Sequence, residues 1–338
     1  MLRQAAFAVL AAGALLGSAP APTLAQTSSR TMPSTVPMTP ESILPPAPAW
    51  RGASERLLAP AGDPWITPSE RTGLTATPSY DETIAWLRRL DAASPLIRME
   101  TFGKTAQGRD LWVVVASRDR NLAAAKPTVL AQAGIHAGEI DGKDAGLMLL
   151  RDIAFRGKAG LLDRANLLFV PVFNADGHER SSPYNRPNQR GPVSQGWRTT
   201  AQNLNLNRDY AKADSPEMRA MIGLIRRYRP DLYLDLHVTD GIDHQHDITY
   251  AFEAWDGRHG RSRAGGAWLD RRLRPELDAA LSANGHVPGP YIDPVDPRAP
   301  EKGITIAPSL PRFSTGYGDA IRLPTLLVET HSLKPYRQ

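Results

Sequence analysis

The sequence predicts an α/β fold: a single domain on a central mixed, largely parallel β-sheet flanked by helices. Two observations predict it. After residue 127, apolar β-rich runs alternate with segments of helical period. Val113, Val114 and Val115 are contiguous apolar positions, as in a strand buried on both faces.

The first firm element is a helix over 79–93, where Ser79-Tyr80-Asp81-Glu82 has the form of a capping box. Ile84, Leu87 and Leu90 supply its apolar face. Runs 97–102 and 110–116, separated by Gly103 to Arg109, suit a hairpin. Run 128–133 is the next strand, and a glycine-flanked turn leads from it into a helix over 141–155 carrying Leu147, Leu150 and Ile153. Run 166–172 is another buried strand, closed by the turn Asn174-Ala175-Asp176-Gly177. The polar stretch 181–202 is a long loop, a class of segment that often carries function. Asp214-Ser215-Pro216-Glu217 caps a helix through Tyr228. Strand 231–236 delivers His237, and strand 324–328 ends in Glu329. Between them, 240–311 reads as surface structure over the sheet, with a helix near 267–273 disturbed by Pro275.

Composition narrows the function. The 338 residues are 41% hydrophobic and 22% charged, an ordinary globular balance. Met1-Leu2-Arg3, an apolar run over 5–16 and small residues ending at Ala25 form an export signal, with cleavage after Ala25 or after Ala21. That run is too short to span a bilayer, and no later stretch is long enough, so no stable membrane span is expected and the product is periplasmic or secreted. Residues 26–69, rich in Pro, Ser and Thr, read as a linker or extended arm. There is no Cys, which excludes disulfides, cysteine nucleophiles and Cys-ligated zinc. The net charge of +5 suits contact with anionic surfaces. Its Lys and Arg are scattered among acids, with no basic block, so nucleic-acid binding is not expected.

Three strand ends carry reactive groups: His136 with Glu139, His237, and Glu329. In open α/β sheets such ends converge on the site. Two His and one carboxylate are the protein ligands expected for a catalytic zinc, which leaves Glu329 free as a general base. Gly134 and Gly138 would let the backbone turn tightly enough for His136 and Glu139 to face one ion. His244 and His246 form a second, His-x-His pair in a polar run. There is no His-Glu-x-x-His, Gly-x-Ser-x-Gly, Gly-x-x-x-x-Gly-Lys or Gly-x-Gly-x-x-Gly.

The order His136-x-x-Glu139, Trp197-Arg198, Asn207-Arg208, His237 and Glu329 closely resembles the zinc metallocarboxypeptidases of the carboxypeptidase A type. The likeness runs over 80–329 and includes the approach segment Phe102 to Arg109. It implies one Zn2+ held by His136, Glu139 and His237, with Glu329 as base. Arg198 would stabilise the oxyanion, and Asn207 and Arg208 would grip the terminal carboxylate of a peptide. The family places a substrate-closing Tyr about twenty residues before the base. Here Phe313 and Tyr317 stand closer, and Tyr317 takes that place in the expected substrate-binding set. Where the family has an acid that orients the first zinc His, this chain has Asn205. The family continues through a further helix beyond its base, so a truncated C-terminus, or another cover for that face, is expected. The domain reading is therefore a signal over 1–25, a linker over 26–69 and a catalytic domain over 70–338. The substrate implied is a peptide with a free C-terminal carboxylate. The alternatives are a zinc amidase acting on cell-wall peptides or acylated amino acids, and a noncatalytic zinc-containing peptide-binding module.

Overall fold

Hydrogen bonding joins eight strands into one sheet. The computed structural model describes residues 40–338, apart from 48, 49, 51, 120, 121, 123–125, 258 and 259. The expected export signal lies outside these residues. The strands are β1 (Ile97–Lys104), β2 (Asp110–Ala116), β3 (Thr128–Ala133), β4 (Asn166–Val170), β5 (Leu232–Val238), β6 (Ile248–Ala251) and β7 (Pro288–Pro290), with β10 (Thr325–Thr330). A separate two-stranded ladder pairs β8 (Asp293–Pro294) with β9 (Ile304–Thr305). The main order is β1-β2-β4-β3-β5-β10-β6-β7. The pairs β3/β4, β3/β5 and β5/β10 are parallel, while β1/β2, β2/β4 and β10/β6 are antiparallel. The sheet is therefore mixed with a parallel centre, as the strand and helix alternation predicts.

The helices are α1 (Pro40–Ile43), α2 (Pro68–Arg71), α3 (Tyr80–Ala93), α4 (Asp141–Phe155), α5 (Ala175–His178), α6 (Pro216–Tyr228), α7 (Arg263–Trp268), α8 (Arg274–Ala283) and α9 (Ser314–Ile321). Helix α3 begins as expected: Ser79 Oγ accepts from Glu82 N at 3.2 Å, and Glu82 Oε2 accepts from Ser79 N at 2.9 Å. Helices α3 and α4 bury Leu87, Leu90, Leu147 and Leu150 on one sheet face with Val114 and Phe169. On the other face, α6 buries Met218, Met221 and Leu224 against Val113, Val115, Leu168 and Tyr233. The alternation of Val113 to Val115 between these two cores is the physical basis of the two-sided burial.

Two elements depart from expectation. The segment 240–311 is not only a surface cover, because β6 and β7 extend the sheet beyond β10. Their runs are too short, and β7 is too rich in Pro, to show a period in the sequence. Pro275 does not end its helix either. It occupies the first turn of α8, where its missing N–H is not needed, and a π-helical turn over Leu269–Leu273 joins α7 to α8. Among the described residues, no helix is long and apolar enough to cross a membrane.

The arm expected over 26–69 is described from Pro40, and its later part is fastened to the body. Arg151, fully buried in α4, reaches Glu70 Oε2 at 2.5 Å, Asp152 Oδ1 at 2.9 Å and Leu57 O at 2.8 Å. Glu70 also accepts from the backbone N–H of Thr67 and Ala59, at 2.9 and 2.7 Å. Burial pushes the Glu70 carboxyl up, but Arg151 and these N–H groups outweigh it and hold the group below its usual 4.5. A carboxyl depressed on folding contributes stability above its unfolded pKa and loses it as pH falls through the folded value. Glu70→Gln should therefore cost about 3 kcal/mol near pH 7 by leaving Arg151 without its buried partner. Denaturant melts of both proteins should converge as the pH is taken below the usual carboxyl range.

Candidate metal centre

The parallel centre of the sheet brings three strand ends together. His136 and Glu139 follow β3, His237 lies near the end of β5, and Glu329 lies near the end of β10. Parallel pairing puts Glu329 directly opposite His237. All four are buried, at 2 to 7% exposure. Ligand-capable atoms of His136, Glu139 and His237 lie within 4.8 Å of one another. Of the two glycines, Gly134 has the left-handed backbone of a tight turn, whereas Gly138 matters for the close approach of other groups. Gly134 has φ +68, and a Cβ on Gly138 would stand 2.6 Å from Arg186 Cδ and 2.8 Å from Gly196 O.

Hydrogen bonding settles the orientation of His136. Asn205 Oδ1 accepts from Asn207 N at 3.0 Å and lies 3.2 Å from His136 Nε2, so that nitrogen carries the proton. The lone pair of Nδ1 then points inward, 3.0 Å from Glu139 Oε1, with no aligned hydrogen bond of its own. A buried imidazole nitrogen with no donor to accept from, facing a carboxylate, suits a cation held between them. Neutral Asn205 thus fills the orienting position that the sequence departure had put in question.

Behind His237 runs a polar chain. Tyr210 and Tyr233 share a hydroxyl hydrogen bond of 2.6 Å, Tyr233 donates to Gln132 at 2.7 Å, and Gln132 donates to Asp235 at 2.8 Å. Asp235 Oδ2 then stands 3.0 Å from His237 Nε2, a close contact rather than an aligned bond. His237 Nδ1 meets Glu139 Oε2 at 2.8 Å. Burial disfavours a charged His237, but Asp235 and Glu139 prevail and its pKa is raised. Glu139 goes the other way: burial opposes its charge, and His136 and Arg186 keep it ionised. Burial raises the Glu329 carboxyl to about 8, against the lowering pull of His237. A carboxyl near that value is suited to taking and returning a proton at neutral pH.

Arg186 was not singled out by the sequence, yet it is the best-anchored charge in the centre. Its Nη1 reaches Glu139 Oε1 at 2.8 Å, its Nε donates to Gln189 at 2.5 Å, and its Nη2 donates to the carbonyls of Val238 and Thr239 at 3.2 and 3.0 Å. The long loop 181–202 supplies it, as it supplies Arg198, whose Nη1 stands 3.3 Å from the same Glu139 oxygen. Tyr291, in the segment after β7, feels the charge of Glu329. Burial and then the Glu329 charge raise its phenol pKa, so it remains a donor.

The remaining expected residues divide. Asn207 is buried with its Oδ1 unpartnered, and Arg208 lies with its guanidinium carbon 4.2 Å from the Phe313 ring centroid. Tyr317 sits in α9, with its ring 5.5 Å from that of Tyr210. A helix packed in this way gives it no loop on which to swing. His244 packs on His331 at 4.3 Å, and neither it nor His246 belongs to a group of metal-capable ligands among the described residues.

This geometry sets a buried His-Glu-His group that could hold a metal ion on an α/β scaffold. Residues 83–242 match the zinc carboxypeptidase family model. Carboxypeptidase 2 of Trichophyton rubrum is 28% identical over 171 residues, which are 48% of this chain and 29% of that protein. Carboxypeptidase D of Rattus norvegicus is 28% identical over 152 residues, covering 43% of this chain and 11% of the relative. The chain thus spans less than a third of either relative's length. A metallo-carboxypeptidase from Burkholderia cenocepacia has the same fold, with TM-score 0.56 and 21% identity over 76% of this chain and 61% of its own. Thrombin activatable fibrinolysis inhibitor shares it at TM-score 0.58 and 14% identity, over 82% of this chain and 71% of its own. The family implies zinc, and the donor set of His136, Glu139 and His237 fits it.

Removing Arg186 should loosen that set without unfolding the sheet. Arg186→Ala is expected to weaken zinc binding by about 10- to 100-fold in chelator competition. Arg186→Lys should recover only part, because one ammonium cannot span Glu139, Gln189 and two carbonyls at once.

Proposed function

We propose that the chain is an exported zinc metallocarboxypeptidase that hydrolyses the C-terminal peptide bond of peptides with a free terminal carboxylate. The observation that carries this reading is the buried Glu329 carboxyl, set beside His237 across the β5/β10 pair. A single zinc ion, held by His136, Glu139 and His237, would supply Lewis acidity towards the scissile carbonyl and towards water. Glu329 takes a proton from the attacking water and returns it to the leaving amine, a task that suits its raised pKa. Arg198, 35% exposed at its side chain, donates to the carbonyl oxygen as negative charge develops there. Asn207 and Arg208 receive the terminal carboxylate, for which a planar guanidinium is the matching partner. The placement of Glu329 opposite His237, beside the His136–Glu139–His237 group, favours catalysis over the binding reading. The N-terminal charge and apolar run support export to the periplasm or medium.

Digestion of a peptide mixture with mass readout tests the reading. Chelator should abolish release of C-terminal residues, and added zinc should restore it. Glu329→Gln should lower turnover by about 100- to 10,000-fold while metal analysis still finds zinc. Full activity in that variant would remove Glu329 from the mechanism. Amidating the peptide's C-terminus should stop cleavage; continued cleavage would point to an amidase instead.

A further inference from the structure

The proposed mechanism leaves positive charge beside the Asn207–Arg208 turn that it does not use. Phe313, just before α9, carries two guanidiniums, with Arg208 Cζ 4.2 Å and Arg312 Cζ 5.0 Å from its ring centroid. The loop before α9 is tied to the same turn, because the Arg312 carbonyl accepts from Tyr210 N at 3.4 Å. Among the described residues, neither Arg208 nor Arg312 makes an ion pair. Burial, and then the positive charges of Arg198 and Arg312, hold Arg208 below its ordinary pKa. Asp240, whose charge pulls Arg208 the other way, stands 3.7 Å from Arg186. Arg198 is paired with Glu139, whereas Arg208 and Arg312, on the same ring, have no carboxylate partner among the described residues; their like charges repel, and an anion drawn to both relieves that repulsion.

Given the carboxypeptidase reading, on which this step rests, the terminal carboxylate occupies Asn207 and Arg208 and supplies only one such anion. We infer that Arg312 is a specificity-determining residue that receives a second carboxylate, the side chain of a C-terminal Glu or Asp. The shared ring fixes both guanidiniums on one aromatic platform, so the span between them cannot exceed the two ring distances laid end to end. That is within reach of the two carboxylates of one acidic residue. Stacking on Phe313 also presents Arg312 as a flat, weakly hydrated donor, although the residue itself is exposed.

The test uses the full chain loaded with zinc and peptides identical except for a last residue of Glu or its neutral isostere Gln. Wild type should cleave the Glu peptide with kcat/KM at least tenfold above the Gln peptide, and Arg312→Gln should bring that ratio close to one. Arg312→Glu, checked for folding by its thermal melt, should shift preference towards a Lys-ended peptide. Equal cleavage of the Glu and Gln peptides by wild type, or an undiminished preference in Arg312→Gln, overturns the role of Arg312 and leaves the carboxypeptidase reading standing. Failure of wild type to cleave any of these peptides overturns both.

Discussion

The buried carboxylate of Glu139 is the constraint on which the centre depends. An ionised carboxylate at 2% exposure is unfavourable unless neighbours supply charge and hydrogen bonds. Four side chains do so here. His136 and His237 stand at 3.0 and 2.8 Å, Arg186 at 2.8 Å and Arg198 at 3.3 Å. They come from β5, the turn after β3 and the long loop 181–202, so satisfying one carboxylate fixes three parts of the chain relative to one another. The parallel centre of the sheet makes this convergence possible, because parallel strands deliver their ends to the same edge.

The same carboxylate accounts for the division of labour among the acids of the site. Glu139 is surrounded by cationic or proton-donating partners and stays ionised. Glu329 is as deeply placed but faces chiefly His237, with Glu139 and Asp240 opposing its charge, and its pKa rises to about 8. Two carboxyls at the ends of strands on either side of β5 are thereby pushed to opposite roles by their surroundings. Asp235 has a third role, behind His237, where the Gln132–Tyr233–Tyr210 chain holds it in place. Each group is tuned by what packs around it rather than by its residue type.

Loop and sheet contribute differently. The strand ends set ligand positions with the precision of backbone pairing, while the loop 181–202 and the segment before α9 supply guanidiniums. Arg186 is locked by carbonyls of the β5 end and by Gln189. Arg198 and Arg208 are more open, Arg208 resting on Phe313. A rigid inner charge next to more accessible outer ones is the arrangement expected where one arginine tunes a ligand and others meet a substrate.

Strand periods and capping signals determined the central elements by themselves. The Ser79–Glu82 box, the two-faced valines and the strand that ends at Glu329 are local patterns, and local patterns survive in a linear chain. His136, Glu139, His237 and Glu329 were legible for the same reason: each follows or ends a recognisable strand. Tertiary structure alone decided the rest. β6 pairs because β10 offers it an edge, β7 because β6 does in turn, and Pro275 is tolerated because it falls in the first turn of α8. Arg186 lies in a polar loop with no motif around it, and nothing local distinguishes it from Arg190 or Arg180. It becomes part of the centre because Gly138, lacking a Cβ, lets its stem pass within reach of Glu139. A charge's function depends on what it meets in space, and in this chain those partners are some fifty residues away.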